Sequence, residues 1–127
     1  MPEEFTALFV YGTLKRGDVR AYLLTDQAYL GKAKTLPRYR LFNTGDYPAL
    51  VEAEPLGLPG RSIVGELWRI DNDCLARLDE EEGVDEGLYE RSEVELIDEI
   101  TAWAYLYLFP VDGMVDCGNC WVVPAKP

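Results

Sequence analysis

Hydrophobic residues in this chain arrive in short runs broken by glycine, proline and acidic clusters, and the period within each run predicts an element. Residues Ala7 to Tyr11 (ALFVY) are apolar, β-branched and aromatic and stop at Gly12. That pattern predicts a buried first strand ending in a tight turn. After Lys15-Arg16-Gly17-Asp18, the segment Val19 to Leu30 carries Ala21, Leu23, Leu24 and Ala28. The spacing predicts a short helix with Asp18 as its N-cap. Short strands follow between Ala33 and Leu50, with a turn at Asn43-Thr44-Gly45-Asp46, and the Pro/Gly-rich stretch Glu52 to Arg61 reads as a loop.

Ile63 to Ile70 (IVGELWRI) alternates as a half-buried strand. Asp71-Asn72-Asp73 offers N-cap oxygens for a helix running to about Glu82, and Gly83 supplies the stop. Glu93 to Ile97 alternates again, and Ala102 to Phe109 (AWAYLYLF) reads as a central strand. The tail from Met114 to Pro127 mixes apolar residues with Gly and Pro and carries no clear period. Strands outnumber helices and do not alternate strictly with them, which predicts an α+β fold in one domain over 1–127.

Charge narrows the partners. The chain holds 23 acidic and 12 basic residues, a net charge of −11, and such a field repels a phosphate backbone. Nucleic acid is therefore not an expected partner. No apolar run approaches the ~18 residues of a membrane span, and the opening MPEEFT is acidic, so a cytoplasmic location without membrane insertion is expected.

The chain has no histidine. That removes Ser-His-Asp and Cys-His catalysis and any zinc site that needs imidazole. Proton transfer near neutral pH then falls to a carboxylate, tyrosine, lysine or cysteine with a shifted pKa. Of the three cysteines, Cys117 and Cys120 form a C-x-x-C pair, with Cys74 the remaining thiol. Three thiols without histidine are too few for a structural zinc site, and Trp121-Val122-Val123-Pro124 does not resemble the helix that follows a redox C-x-x-C. Neither metal nor cofactor is expected.

The acidic run Asp79-Glu80-Glu81-Glu82 is ordinarily a solvated helix end. Helical spacing separates its members. Positions 75, 78 and 82 share a stripe that Leu75 and Leu78 make apolar, so Glu82 faces the core while Glu80 and Glu81 project away. Desolvation and the negative end of the helix dipole both raise the pKa of such a carboxylate, as a base or acid working near neutrality requires. A purely structural glutamate, paired with Arg77 or Arg91, satisfies the same spacing. Tyr11-Gly12-Thr13-Leu14-Lys15 could likewise be a plain turn, or a turn presenting N–H groups to an anion; no phosphate-loop glycine pattern accompanies it. The aromatics of 102–109 read most simply as core, although Tyr105 or Tyr107 could turn a hydroxyl toward a pocket.

Combined in order, these pieces resemble the γ-glutamylcyclotransferase-like family, which includes the γ-glutamylamine cyclotransferases and plant proteins named for avirulence induction. The matching segments are LFVYGTLKRG at Leu8–Gly17, YPAL at Tyr47–Leu50, VGELWRI at Val64–Ile70, LDEEEG at Leu78–Gly83 and YER at Tyr89–Arg91, followed by the aromatic strand. The resemblance implies an α+β fold whose mixed sheet curls into a barrel, with two main helices. It implies Glu82 as catalytic acid–base group and Tyr11, Gly12, Thr13, Leu14 and Tyr89 as substrate-binding residues. Two departures stand out: Val19-Arg20 where many relatives carry an asparagine, and an unusually acidic Asp85-Glu86 before Tyr89.

The implied reaction is an intramolecular aminoacyl transfer on a small γ-glutamyl amine or amino acid, giving 5-oxoproline and a free amine. The substrate brings its own nucleophile, so the protein must position it and move protons. A binding module without turnover, or removal of a γ-glutamyl group from a biosynthetic intermediate, fits the same residues.

Overall fold

The first strand, β1 (Phe5–Val10), is buried on both faces, because its side chains alternate between two separate apolar clusters. Leu8 and Val10 point to one side, with Trp68, Ile70, Cys74 and Leu78. Phe9, and Tyr11 just past the strand, point to the other, with Tyr39, Leu41 and Leu50. A strand covered on both sides reads as a continuous apolar run, which is how ALFVY stands in the sequence.

The computed structural model describes residues 5–122. After β1 come β2 (Ala28–Lys34), β3 (Tyr39–Asn43), β4 (Pro48–Glu52), β5 (Val64–Asp71), helix α1 (Asn72–Glu81), β6 (Tyr89–Leu96), β7 (Ile100–Tyr107) and β8 (Val115–Asp116). Five strands form one sheet in the order β2-β5-β1-β7-β6, and three form a second in the order β4-β3-β8. Within the larger sheet β1 pairs antiparallel with β5 and parallel with β7, so the sheet is mixed. Helix α1 covers one face of it, against the aromatic side of β7, and the smaller sheet covers the other.

Two details differ from the expectations. Val19 to Leu30 is not a helix: Ala21–Leu24 makes a single 3-10 turn, and Ala28–Lys34 is strand β2, paired antiparallel with β5. Without β2, β5 would present an unpaired edge, and the ladder outweighs the weak helical period of this segment. Asp18 caps no helix; its Oδ1 accepts from the Val19 N–H at 2.7 Å and its Oδ2 from Trp121 Nε1 at 3.1 Å. The described residues therefore hold one α-helix, not two.

The sheet also does not close into a barrel. Its edge strands β2 and β6 meet at one corner, where Leu36 N–H donates to the Glu95 carbonyl at 3.0 Å and Ile97 N–H to the Lys34 carbonyl at 2.9 Å. Beyond that corner no ladder joins the two edges among the described residues, and β3, β4 and β8 pair in a sheet of their own.

The tail of the chain is pinned as far as Trp121, whose carbonyl accepts from Lys15 and whose Nε1 donates to Asp18. β8 pairs with β3, the Cys117 N–H donates to the Leu41 carbonyl at 2.7 Å, and the Asn119 carbonyl accepts from Val64 N–H at 2.7 Å. Residues 123–127, part of the tail that carried no clear period, lie outside the described residues.

Candidate active site

Helix α1 ends where the sequence indicates and delivers one carboxylate inward. Asp71 is the N-cap, its side chain accepting from Cys74 N–H at 2.8 Å. At the other end, Val84 N–H reaches the Asp79 carbonyl at 3.0 Å and Gly83 N–H the Glu80 carbonyl at 3.1 Å. These two bonds are the paired closure of a Schellman motif, with Gly83 left-handed at φ 67°. The last helical turn stacks Leu78, fully buried, beneath Glu82, which is the C-cap residue and only 7% exposed. Glu80 and Glu81 stand in solvent. The stripe logic holds, with Glu82 one position beyond the last helical residue.

Glu82 faces a small, narrow pocket walled by the turn after β1. Tyr11, Gly12, Thr13, Leu14 and Tyr89 all line it, together with Arg20, Tyr47, Pro48 and Tyr105. The residues anticipated for the site are thus brought together around one space. Gly12 is required for contact: a Cβ there would sit 2.5 Å from Pro48 Cγ, so the turn lies flat against the first residue of β4. Lys15 N–H closes the turn on the Gly12 carbonyl at 3.0 Å. Thr13 and Leu14 lie in no strand, and among the described residues their N–H groups have no protein acceptor.

Arg20 ties the two halves of the site together. Its Nε donates to Thr13 Oγ1 at 2.8 Å and its Nη2 to Glu82 Oε1 at 2.8 Å. Its own N–H donates to the Thr13 carbonyl at 2.9 Å. The partner of Glu82 is therefore neither Arg77 nor Arg91. Arg91 Nε instead donates to Asp79 Oδ1 at 2.9 Å, and Tyr105 OH donates to that oxygen at 2.7 Å.

Three further residues explain neighbouring motifs. Glu66, buried in β5, accepts the Arg16 N–H at 3.0 Å and Trp68 Nε1 at 3.2 Å, holding the end of the YGTLKRG loop. A Cβ on Gly65 would approach the Val10 carbonyl oxygen to 2.4 Å, so β1 and β5 can lie this close only with glycine there. Tyr89 OH donates to the Pro48 carbonyl at 2.9 Å, fixing YPAL against YER across the pocket.

The electrostatics set Glu82 apart from the phenols around it. Burial raises the Glu82 pKa, while the charge and hydrogen bond of Arg20 pull it part of the way back; the net direction is upward. Burial pushes the phenols of Tyr11, Tyr89 and Tyr105 well above the ordinary tyrosine range. They stay protonated, and each hydroxyl is already committed to a protein acceptor: Tyr11 to the Tyr105 carbonyl, Tyr89 to Pro48, Tyr105 to Asp79. Lys15 is buried but directs its ammonium away, onto the Trp121 carbonyl. What remains is a carboxylate, a guanidinium and backbone N–H groups around a largely aromatic cavity.

The thiols stand apart from this space. Cys74 is buried in α1, Cys117 packs beside the core, and Cys120 Sγ lies 3.7 Å from Lys15 Nζ. Among the described residues no helix is long and apolar enough to cross a membrane.

Comparison with known proteins matches residues 8–121 to the family described as gamma-glutamyl cyclotransferase, AIG2-like. A gamma-glutamylcyclotransferase family protein of Escherichia coli K12 is 36% identical, over 84% of this chain and 87% of its own. A gamma-glutamylaminecyclotransferase of Bos taurus is 36% identical over 70% of this chain, which spans 55% of that longer protein. In fold, the crystal structure of an AIG2-like protein from Mus musculus superposes with a TM-score of 0.68 at 24% identity, over 81% of this chain and 77% of that one. With the matched region running from β1 to the last described turn, this chain belongs to the gamma-glutamyl cyclotransferase, AIG2-like family.

Proposed function

We propose that this protein is a cyclotransferase acting on a small γ-glutamyl amine or γ-glutamyl amino acid, with Glu82 as general acid and base. The observation that carries the reading is the buried carboxylate of Glu82 facing the Tyr11–Leu14 turn across one pocket. In this reading the α-ammonium of the substrate gives a proton to Glu82. The freed amine attacks the γ-carbonyl carbon, forming the ring C–N bond of 5-oxoproline. The tetrahedral intermediate then collapses by breaking the bond to the leaving nitrogen, and Glu82 returns the proton to that nitrogen. Attack leaves two protons on the ring nitrogen; Glu82, ionised again, passes one of them to the freed amine, which departs as an ammonium, and the lactam keeps the other, so protons balance and water is neither consumed nor released.

Positioning supplies much of the rate, because ring closure by an amine already tethered to its electrophile has a high effective molarity. The N–H groups of Thr13 and Leu14, which have no protein acceptor among the described residues, are suited to hold a developing oxyanion. The neutral phenols and Leu14 exclude water and keep the Glu82 carboxyl basic.

Incubation with a panel of γ-glutamyl amines and γ-glutamyl amino acids, following 5-oxoproline and the freed amine, tests the proposal. Turnover of simple amines or amino acids supports it. Turnover confined to a larger γ-glutamylated intermediate would move the activity to deprotection, and binding without any 5-oxoproline would leave a binding module.

A further inference from the structure

Arg20 and Glu82 are the cation and the anion among the described residues that line the pocket. Their pairing is usually read as one partner neutralising the other, but the guanidinium is only half used. Nε is committed to Thr13 Oγ1 and Nη2 to Glu82 Oε1. Among the described residues Nη1 has no protein acceptor, yet no buried side-chain nitrogen or oxygen there lacks a partner. Nη1 is therefore accessible, in agreement with a side chain that is 26% exposed against 8% for Glu82. The guanidinium is locked along one edge by two bonds and open along the other. A planar fork fixed in this way is a pre-organised receptor for a carboxylate.

We infer that Arg20 is the anchor for the α-carboxylate of the γ-glutamyl group, and that the Arg20–Glu82 pair reads the two charges of an amino-acid head together. The inference rests on the γ-glutamyl reading of the site and makes it more specific. The α-carboxylate sits on Nη1, the adjacent α-ammonium sits on Glu82, and the two charges of the substrate match those of the pair. The N–H groups of Thr13 and Leu14 are then left for the γ-carbonyl oxygen, where charge develops, instead of being consumed by the carboxylate. The geometry also specifies the substrate class: γ-acyl compounds with a free α-carboxylate, in preference to the same amides lacking it.

Arg20→Gln tests this with a pair of anilides, γ-glutamyl anilide and 4-aminobutanoyl anilide, which differ by the carboxylate alone. Rates are compared on the alkaline side of the acidic limb, where Glu82 is ionised in both proteins. Inhibition by 5-oxoproline, which has the carboxylate but no ammonium, is measured alongside. The expected result is a rise of about ten- to a hundred-fold in KM for γ-glutamyl anilide and in the inhibition constant of 5-oxoproline. The kcat/KM for 4-aminobutanoyl anilide should fall by much less, so that the preference for γ-glutamyl anilide over it shrinks about ten- to a hundred-fold. Arg20→Lys, which keeps the charge and loses the fork, should fall between wild type and Arg20→Gln and serves if the glutamine variant fails to fold.

Equal losses on both anilides would overturn the anchor, because Arg20 would then act through Glu82 or through the fold. Normal 5-oxoproline production by the wild type with KM and inhibition unmoved in Arg20→Gln would overturn the anchor and leave the cyclotransferase standing. Binding of 5-oxoproline that depends on Arg20, without turnover of any γ-glutamyl compound, would sustain the anchor and remove the cyclotransferase. Neither turnover nor binding in the wild type would remove both.

Discussion

Gly12 lies against Pro48 so closely that a methyl group on its α-carbon would fall 2.5 Å from the Pro48 ring. The turn that walls the pocket and the strand that begins with YPAL are therefore in register only because one residue has no side chain. Gly12→Ala should displace the turn or the Pro48 backbone, whose carbonyl Tyr89 holds. The expected outcome is a loss of 5-oxoproline formation together with a lowered melting temperature, at a cost of about 1–3 kcal/mol from overpacking. Full activity with unchanged stability would show that the contact relaxes without moving the site.

The acidic run provides an internal comparison. Glu82→Gln removes the proposed proton acceptor while keeping shape, and is expected to lower kcat about 10²- to 10⁴-fold. Circular dichroism should show an intact fold, since the uncharged amide no longer bears the desolvation that raises the Glu82 pKa. Glu80→Gln and Glu81→Gln change only exposed side chains and should leave kcat within about twofold. Equal losses at all three positions would mean that the run acts as a diffuse field and not through one base.

Asp79 carries a separate prediction. It accepts from both Arg91 and Tyr105, so Asp79→Ala strands a phenol and a guanidinium in a partly buried place. Thermal melts should report a destabilisation of about 1–3 kcal/mol. Because Asp79 does not line the pocket, KM for a γ-glutamyl substrate should move less than stability does. A variant as stable as wild type would show that this network contributes nothing.

How much of this was legible in the sequence depended on the range of the interaction. Glu82 could be picked out because Leu75, Leu78 and Gly83 are its helical neighbours, and the 3.6-residue period is a local property. β1 and β5 could be read from apolar runs for the same reason. The segment Val19–Leu30 was misread because its fate depends on β5, some forty residues away, whose edge it covers. Arg20 as the partner of Glu82 was equally out of reach, since the two are 62 positions apart. Nearby Arg77 and Arg91 offered the charge without the geometry. The departure at Val19-Arg20 was the one signal available, and it marked the position without indicating what the arginine would touch. Gly65 and Glu66 also stood in a recognised motif, but their reasons, a close approach to Val10 and a grip on the Arg16 N–H, exist only across strands.

The pH profile joins the environment of Glu82 to its chemistry. Burial raises its pKa and Arg20 partly offsets this, with a net upward direction. The proposed base must be ionised, so kcat/KM should fall as pH drops through a pKa above the ~4.3 of a free glutamate. No histidine is present to account for a limb displaced toward ~6.5. Removing the guanidinium removes the influences that lower the pKa, so Arg20→Gln should move the acidic limb further up. Stability follows with a definite sign: between the unfolded and the raised folded pKa, the folded state binds more protons than the unfolded one, so stability falls as pH rises through that window. Glu82→Gln should remove that slope. The decisive comparison uses substrates whose α-amines differ in basicity, in wild type and in Arg20→Gln. A limb that stays fixed across substrates and shifts with the arginine belongs to Glu82. One that follows the amine and ignores the arginine belongs to the substrate ammonium, and the case for Glu82 as the base would then fail.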